Sequence, residues 1–297
     1  MSHSHESIHV PNFSFLLVSK GIVGDESTHF NILPNSKMTS SKTLKFCANL
    51  SMMFQEVPLA QRFNAAKEAQ FKAVEMAFPY EMSAQEIARI KEESGLEQIL
   101  INVFPGPALG FAALDGQETA FMDSLVKSVE YCNALKCKKL HIMSGRQMET
   151  QGSEATLLKN MRAAVPILEQ NEIVGLLEPI NGYSVPQYFL NNYETAQRVI
   201  EELNSPNLRL QLDIFHLQFI KGDLTHNIKK FLSITGHIQL AQVPNRNEPD
   251  TFGEIDYKYV LDVLEQEKYG GWIGLEYNPK GDTVSGLKWI KDFGYEL

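Results

Sequence analysis

An alternation of two sequence patterns constrains the fold of this 297-residue chain more than any other feature. From residue 44 onward, short runs of apolar and β-branched residues alternate with longer segments whose apolar residues recur at the period of an α-helix. Eight strand–helix pairs follow one another over about 250 residues, the typical length of a (β/α)8 or TIM barrel. We therefore predict an α/β TIM barrel with strands at 44–49, 71–78, 96–103, 139–143, 174–178, 208–213, 236–241 and 272–276. The helix after the sixth strand is predicted at 224–234 and the last helix at 283–293.

The segment after the first predicted strand argues against the main alternative, a doubly wound open sheet. Such sheets usually carry a glycine-rich phosphate-binding turn at this place. Residues 49–54 read Asn-Leu-Ser-Met-Met-Phe and contain no glycine. We therefore assign residues 43–297 to one barrel domain.

Residues 1–42 follow neither pattern. They are rich in Ser, His and Asn, and the first arginine of the chain is Arg62. The short apolar run at 13–18 lacks a preceding basic segment, so neither a signal peptide nor a mitochondrial transit peptide is predicted. We interpret residues 1–42 as a disordered N-terminal extension.

Charge and cysteine content exclude several classes of partner. The net charge of −9 argues against a nucleic-acid partner and against binding to an anionic membrane surface. The cysteines Cys47, Cys132 and Cys137 form an odd, sparse set, which is typical of a reducing compartment. No apolar run approaches the ~20 residues of a membrane span. We therefore expect a cytoplasmic protein, and the sequence leaves open whether it forms a homo-oligomer.

Polar residues stand at or near the ends of four consecutive predicted strands. Active sites of TIM barrels lie at the C-terminal ends of the strands, so these side chains are expected to meet. A buried charge is costly unless it is paired or ligates a metal, although a strand-end acid can also be a simple salt-bridge partner. Three carboxylates and an amide oxygen suit a hard divalent cation, Mg²⁺ or Mn²⁺. The candidate ligands are Glu178, Asp213, Gln239 and Glu276.

Other polar residues near these strands admit two interpretations. His216 follows Asp213 by three residues and could contact substrate or cap the loop. Glu75, on the second strand, could contact substrate or be a polar residue of the barrel core. His141 and His237 lie within strands and are interpreted as hydrogen-bonded histidines of the core.

The candidate site suits proton transfer next to a carbonyl group. One carboxylate can remove a proton from a carbon beside the carbonyl, and the other can return a proton to the neighbouring carbon. A divalent metal can stabilise the enediolate between these steps as a Lewis acid. This is aldose–ketose isomerisation, or epimerisation if the proton returns to the same carbon. Neither requires a nucleotide cofactor, and no GxSxG nucleophile motif is present.

From about residue 44 to the C-terminus, the chain resembles the hydroxypyruvate isomerases of the xylose isomerase-like barrel superfamily. The resemblance rests on residues 46–51, 175–181, 211–216, 236–239, 241–246, 274–277 and 281–283. It implies that Glu178 and Glu276 are the proton-transferring pair and that they hold a divalent metal together with Asp213 and Gln239. It also implies interconversion of hydroxypyruvate and 2-hydroxy-3-oxopropanoate (tartronate semialdehyde).

A keto-acid substrate brings its own carboxylate to a site that already carries three acids, so a cation must face it. Arg246, in the loop after the Gln239 strand, is the first candidate, because a guanidinium can bind a carboxylate through two parallel hydrogen bonds. Lys280, in the loop after the last strand, and Arg146, after the fourth strand, are the second candidates. Alternatively, Arg246 forms a salt bridge within its loop to Glu248 or Glu254.

Three other functions remain open. Related ketose epimerases look similar but carry histidine at the position of Gln239, which argues against epimerase activity, although an epimerase or a sugar or keto-acid isomerase is the main alternative. A metal-dependent endonuclease with this fold would need many histidines and a basic face, which the net charge of −9 does not favour. A binding barrel without catalysis would not need the pair of glutamates.

Overall fold

The structure, a computed structural model, describes residues 42–148 and 150–297. The predicted disorder of residues 1–42 concerns a segment that lies, except for its last residue, outside the described residues. Eight parallel strands follow one another in chain order around a closed barrel, and the last strand pairs with the first. The prediction of a TIM barrel is therefore confirmed.

The eight predicted strands are all present, most of them one to four residues shorter than predicted. The strands are β1 Lys45–Asn49, β2 Ala73–Met76, β3 Glu97–Asn102, β4 Lys139–His141, β5 Val174–Leu177, β6 Leu208–Asp213, β7 Thr235–Leu240 and β8 Trp272–Leu275. The helices are α1 Leu59–Glu68, α2 Ala84–Ser94, α3 Glu118–Leu135, α4 Glu154–Gln170, α5 Tyr193–Leu203, α6 Ile214–Ile220, α7 Leu224–Phe231, α8 Tyr257–Gln266, α9 Thr283–Gly286 and α10 Lys288–Asp292, with a short 3₁₀ helix at Leu232–Ile234.

Side chains in the preceding loops define where several helices begin. Before α2, the Ser83 side chain accepts a hydrogen bond from the Glu86 amide at 3.2 Å, and the helix ends at Gly95 with a φ of +74°. Ser153, Asn192 and Asp256 cap α4, α5 and α8 in the same way. Such caps satisfy amide groups that have no partner within the helix. In this fold the capped helix starts follow the C-terminal ends of the strands, the face where catalytic residues usually lie.

Two helical segments differ from the predictions. Helix α6 was not predicted, and it starts directly after Asp213 because the Asp213 carboxylate accepts a hydrogen bond from the Phe215 amide at 2.8 Å. The last helix, predicted as one segment at 283–293, is divided into α9 and α10, and α9 ends at Gly286. The first difference matters for function, because it anchors a candidate site residue in a helix cap.

The strand period places polar residues inside the barrel. Side chains two residues apart on a strand share a face. On β6 this pairs Gln211 with Asp213, and on β7 it pairs His237 with Gln239; all four are buried. The interior at this level is therefore polar, whereas the apolar core lies mainly between the strands and the surrounding helices. None of the described helices is long and apolar enough to cross a membrane.

Candidate active site

The four residues predicted as metal ligands lie together at the C-terminal end of the barrel. Glu178 and Glu276 each follow the last residue of their strand, β5 or β8, and Asp213 is the last residue of β6. Gln239, on β7, lies in register with Asp213. Glu178, Asp213 and Gln239 are buried, and the side chain of Glu276 is 12% exposed. The structure thus brings the four residues to one place, while their roles remain predictions.

The two carboxylate oxygens of Asp213 have different roles: one caps a helix and the other faces the candidate site. Its Oδ1 caps α6, and its Oδ2 lies 3.4 Å from Arg246 Nη2 and 3.6 Å from His216 Nε2. Burial raises the pKa of Asp213, although Arg246 and the hydrogen bond from the Phe215 amide oppose this effect. One oxygen, Oδ2, is therefore directed towards the other candidate residues.

Glu178 carries the least compensated charge of the site. Its Oε1 is buried and has no hydrogen-bond partner among the described residues. Its Oε2 lies 3.4 Å from His141 Nδ1. Burial raises the pKa of Glu178 well above its ordinary value, and repulsion from Glu276 and Asp213 raises it further. This carboxyl group is therefore poised to hold a proton or to bind a cation.

Glu276 has a pKa near the physiological range. Burial, opposed by Arg246 and assisted by repulsion from Asp213 and Glu75, raises the pKa of Glu276 to about 8. Carboxyl groups that repel one another titrate as a set and not singly. Near neutral pH the set therefore retains a proton, which suits general acid–base chemistry.

Arg246 lies between two of the acids. Its Nη2 donates to Glu276 Oε2 at 2.5 Å, its Nε donates to the Glu276 carbonyl oxygen at 3.2 Å, and the guanidinium lies 4.8 Å from the centre of the Phe215 ring. The carboxylate of Glu248 instead accepts from the backbone amide of Lys280 at 2.9 and 3.2 Å. The alternative of a loop salt bridge to Glu248 or Glu254 is therefore wrong for this structure.

His216 is held as a neutral ring with a defined tautomer. Asn181 Oδ1 accepts from the amides of Tyr183 and Ser184, so its Nδ2 must donate to His216 Nδ1, at 2.7 Å. Burial, Arg246 and His141 lower the pKa of His216 well below its ordinary value. The proton of the neutral ring must then be on Nε2, which points towards Asp213 and can donate to a substrate oxygen.

Gln239 and Glu75 form a pair beneath the acids. Gln239 Nε2 donates to Glu75 Oε1 at 2.7 Å, and Gln239 Oε1 accepts from Gln211 Nε2 at 2.6 Å. Glu75 is fully buried and has hydrogen-bond donors around both oxygens. These contacts fit its interpretation as a polar residue of the barrel interior. Lys280 keeps an exposed side chain in the loop after β8, so a substrate contact there remains a prediction.

The residues fit a divalent cation that prefers oxygen ligands. Glu178, Asp213 and His216 bring potential ligand atoms within 4.8 Å of one another. The proton on His216 Nε2 excludes this nitrogen as a ligand in the tautomer described, which leaves carboxylate oxygens. Glu178 Oε1 is the atom best suited to bind a cation, because it is buried without a hydrogen-bond partner among the described residues and a buried charge without a partner is costly. Gln239 Oε1 can still contribute, since an amide oxygen has two lone pairs.

Sequence reasoning missed three residues that contact the site: Asn181, Gln211 and His141. Asn181 lies in the motif at 175–181, but its role depends on a contact with His216 on α6, a helix that was not predicted. Gln211 shares the inner face of β6 with Asp213, so the strand period could have found it. The interpretation of His141 as a hydrogen-bonded core histidine was wrong, because neither ring nitrogen has a hydrogen-bond partner among the described residues.

Comparison with known proteins identifies the family. A sequence model of the xylose isomerase-like TIM barrel family matches residues 63–293. The chain belongs to this family. A relative from Homo sapiens, named as a candidate hydroxypyruvate isomerase, is 43% identical over 265 residues, which cover 84% of this chain and 95% of the relative. The resemblance to the hydroxypyruvate isomerase family is thereby confirmed.

Two further relatives define the range of names within the family. A protein from Cupriavidus necator, named 2-oxo-tetronate isomerase, is 38% identical over 256 residues, covering 84% of this chain and 98% of the relative. A solved structure from Brucella melitensis, described as an AP endonuclease of family 2, is 42% identical with a TM-score of 0.80, covering 84% of this chain and 98% of that one. Similarity of this extent shows a shared fold and family but not a shared substrate.

Proposed function

We propose that this protein is a hydroxypyruvate isomerase, which interconverts hydroxypyruvate and 2-hydroxy-3-oxopropanoate. The observation that carries the proposal is the pair of glutamates that directly follow β5 and β8, buried Glu178 and largely buried Glu276, whose pKa values are both raised. Such a pair can hold one proton and accept another at neutral pH, which is what an enediolate mechanism requires. The names of the relatives support the small hydroxy-keto acid as the substrate class.

In the proposed reaction, one of the two glutamates removes a proton from C3 of hydroxypyruvate. The electron pair of that C–H bond forms the C2–C3 double bond of an enediolate, and the negative charge moves to the oxygen on C2. A proton is then delivered to C2, and the hydroxyl proton on O3 is transferred to O2, which leaves an aldehyde at C3. His216 Nε2–H is placed to donate to a substrate oxygen, and burial of Glu178 and Asp213 keeps water away from the carboxyl groups.

The proposal includes a divalent cation, Mg²⁺ or Mn²⁺, held by Glu178, Asp213, Gln239 and Glu276. When bound, it would supply Lewis-acid stabilisation of negative charge on the substrate oxygens. The surrounding residues of the chain shield the acids from bulk water and determine their protonation state. Two observations support this part of the proposal: Glu178 Oε1 has no hydrogen-bond partner among residues 42–148 and 150–297, and the acids repel one another.

The proposed partner is thus a small keto acid, and the proposal includes neither a nucleotide cofactor nor a nucleic-acid or membrane partner. The net charge of −9 supports the last two points, because nucleic acids and anionic membranes would repel such a protein. The sparse cysteines, all free, support a cytoplasmic location.

The isomerisation itself should be seen directly with purified protein. In ²H₂O, hydroxypyruvate should be converted to 2-hydroxy-3-oxopropanoate with deuterium at C2, because the proton delivered there exchanges with solvent. Proton NMR of the reaction mixture measures both the product and the label. Absence of conversion with metal supplied would contradict the proposal.

A four-carbon keto acid is the second candidate substrate, because the relative from Cupriavidus necator is named for 2-oxo-tetronate. Both reactions use the same pair of glutamates and differ by one carbon of the substrate. Comparison of kcat/KM for the two keto acids decides between them. A neutral ketose that is turned over better than either acid would favour a sugar isomerase or epimerase instead.

Removal of the divalent cation should abolish turnover reversibly. Protein treated with EDTA should regain activity on addition of Mn²⁺ or Mg²⁺, and Mn²⁺ titration followed by electron paramagnetic resonance should show one ion per chain. Asp213→Asn should weaken Mn²⁺ binding by at least about tenfold, because it removes a charged oxygen ligand. Glu172→Gln, at an exposed acid, is the matched control and should change nothing. Three bound zinc ions per chain would favour an endonuclease, and full activity of metal-free protein would contradict this part of the proposal.

A further inference from the structure

A second group of polar residues lies in the barrel around the carboxylate of Glu75. Its Oε1 accepts from Asn49 Nδ2 at 2.9 Å and from Gln239 Nε2 at 2.7 Å. Its Oε2 pairs with His237 Nε2 at 2.7 Å and lies 3.6 Å from Cys47 Sγ. Four donors from β1 and β7 thus surround one fully buried carboxylate on β2.

A glycine on β8, Gly274, leaves room for this carboxylate. A Cβ atom at Gly274 would lie 2.3 Å from Glu75 Oε2 and 2.4 Å from Oε1. The two groups that reach Oε1 are side-chain NH₂ groups, which can only donate hydrogen bonds. Glu75 Oε1 therefore serves as the acceptor for Asn49 and Gln239 together.

The acceptor oxygens of Glu75 determine the orientation of the neighbouring amide groups. Gln239 has to present its NH₂ group to Glu75, and its carbonyl oxygen must then point away, to where it accepts from Gln211 at 2.6 Å. Asn49 Nδ2 donates to Glu75 and also lies 3.5 Å from Glu276 Oε1. The backbone amide of Ser51 binds Asn49 Oδ1 at 3.0 Å, which fixes the orientation of that amide from its other side.

We propose that Glu75 is a positioning residue, which fixes the amide orientation of Gln239 and, through Asn49, the carboxylate of Glu276, without contacting the substrate. Glu75 then acts from within the barrel on two of the four strand-end residues. The inference rests on the proposed function for its kinetic readout only, since the orientation of Gln239 can be observed without turnover. Cys47, Glu75 and His237 could also be regarded as metal ligands, but the donors to Glu75 already satisfy its oxygens.

Glu75→Gln is the principal variant. The glutamine has the same shape, but its NH₂ group must face either the amides of Asn49 and Gln239 or the ring of His237. It also replaces a charged acceptor by a neutral one, which weakens the hydrogen bonds that orient Gln239 and Asn49. We expect kcat for hydroxypyruvate to fall by at least about tenfold with a much smaller change in KM, since a misoriented site affects the transition state more than the bound substrate. Glu75→Asp, which keeps the charge on a shorter side chain, should retain part of the activity.

Two comparisons separate positioning from a general loss of structure. Cys47→Ala removes a donor to the other oxygen, so it should leave kcat unchanged. In a Gln239→Ala background, Glu75→Gln should cost much less than in the wild type, because interacting residues show non-additive effects. Fully additive losses, or an equal loss in Cys47→Ala, would overturn the proposal.

A measurement of Gln239 itself tests the inference even if hydroxypyruvate proves not to be the substrate. With ¹⁵N-labelled glutamine, the side-chain amide signal of Gln239 is assigned by its absence in Gln239→Ala. This signal should shift in Glu75→Gln and Glu75→Asp and remain in place in Cys47→Ala. An unchanged Gln239 signal in a folded Glu75 variant would show that Glu75 does not orient it. If Glu75→Gln does not fold, Glu75→Asp gives the same two readouts.

Discussion

Replacement of either Glu178 or Glu276 by glutamine should lower kcat by at least ~10², because an amide can neither accept nor release the proton that the reaction moves. The glutamine keeps the shape of the side chain, so KM should change far less than kcat. Steady-state kinetics of the two variants with hydroxypyruvate makes the measurement. Near-normal turnover in either variant would contradict the assignment of the pair.

The two glutamates are expected to act as a unit. The variant with both replacements should therefore be little worse than either single variant, as is found when residues share one chemical step. Deuterium incorporation from ²H₂O into the product should be lost together with turnover. A double variant whose loss equals the product of the two single losses would show that the residues act in separate steps.

Stability provides the control against a folding defect in these variants. The pKa of Glu276 is raised to about 8 from its ordinary value of 4.5. The folded protein therefore holds a proton that the unfolded chain has lost, and the free energy of unfolding falls as pH rises through this window. Glutamine does not titrate, so its presence at this position removes the fall in the free energy of unfolding. In metal-free protein at pH 8, Glu178→Gln and Glu276→Gln should melt no lower than the wild type, whereas misfolded variants would melt lower.

The fold and the position of the site could be predicted because they depend on local patterns. The run from Val174 to Pro179 shows a buried strand, an acid at its end and a helix-incompatible residue after it. Eight such periods leave few topologies open, and the (β/α)8 barrel gathers all its strand ends at one face. The convergence of Glu178, Asp213 and Glu276 followed from this rule and needed no knowledge of side-chain contacts.

The contacts across the barrel could not be predicted in the same way. Glu75 and Gln239 are 164 residues apart, and Asn49 and Glu276 are 227 apart. Which side chains are in contact across the barrel depends on the stagger of neighbouring strands and on where each strand ends. It also depends on Gly274, which has no side chain and leaves space for Glu75. The ion pairs of Arg246 were likewise not predicted: the alternative interpretation named Glu248 and Glu254, which are near in sequence, whereas Asp213 and Glu276 are near in space.

Arg246→Ala should raise KM for hydroxypyruvate by at least about tenfold, because the guanidinium is the best-placed group to bind the substrate carboxylate in a fork of two hydrogen bonds. The contacts in the structure use Nε and Nη2, and Nη1 forms no hydrogen bond to the residues that the structure describes. For dihydroxyacetone, a neutral triose, KM should change little. Steady-state kinetics with the two substrates measures the difference.

The value of kcat carries separate information in this experiment. Arg246 lowers the pKa of Glu276 and of Asp213, so its removal should leave both acids more protonated. We therefore expect kcat to fall for the charged and the neutral substrate alike, while KM distinguishes the two. Lys280→Ala is the matched comparison, because Lys280 lies in the loop after β8 with an exposed side chain. If Lys280→Ala alone raises KM for the keto acid, Lys280 binds the substrate carboxylate. If Arg246→Ala raises KM equally for both substrates, Arg246 positions the acids and does not bind the substrate carboxylate.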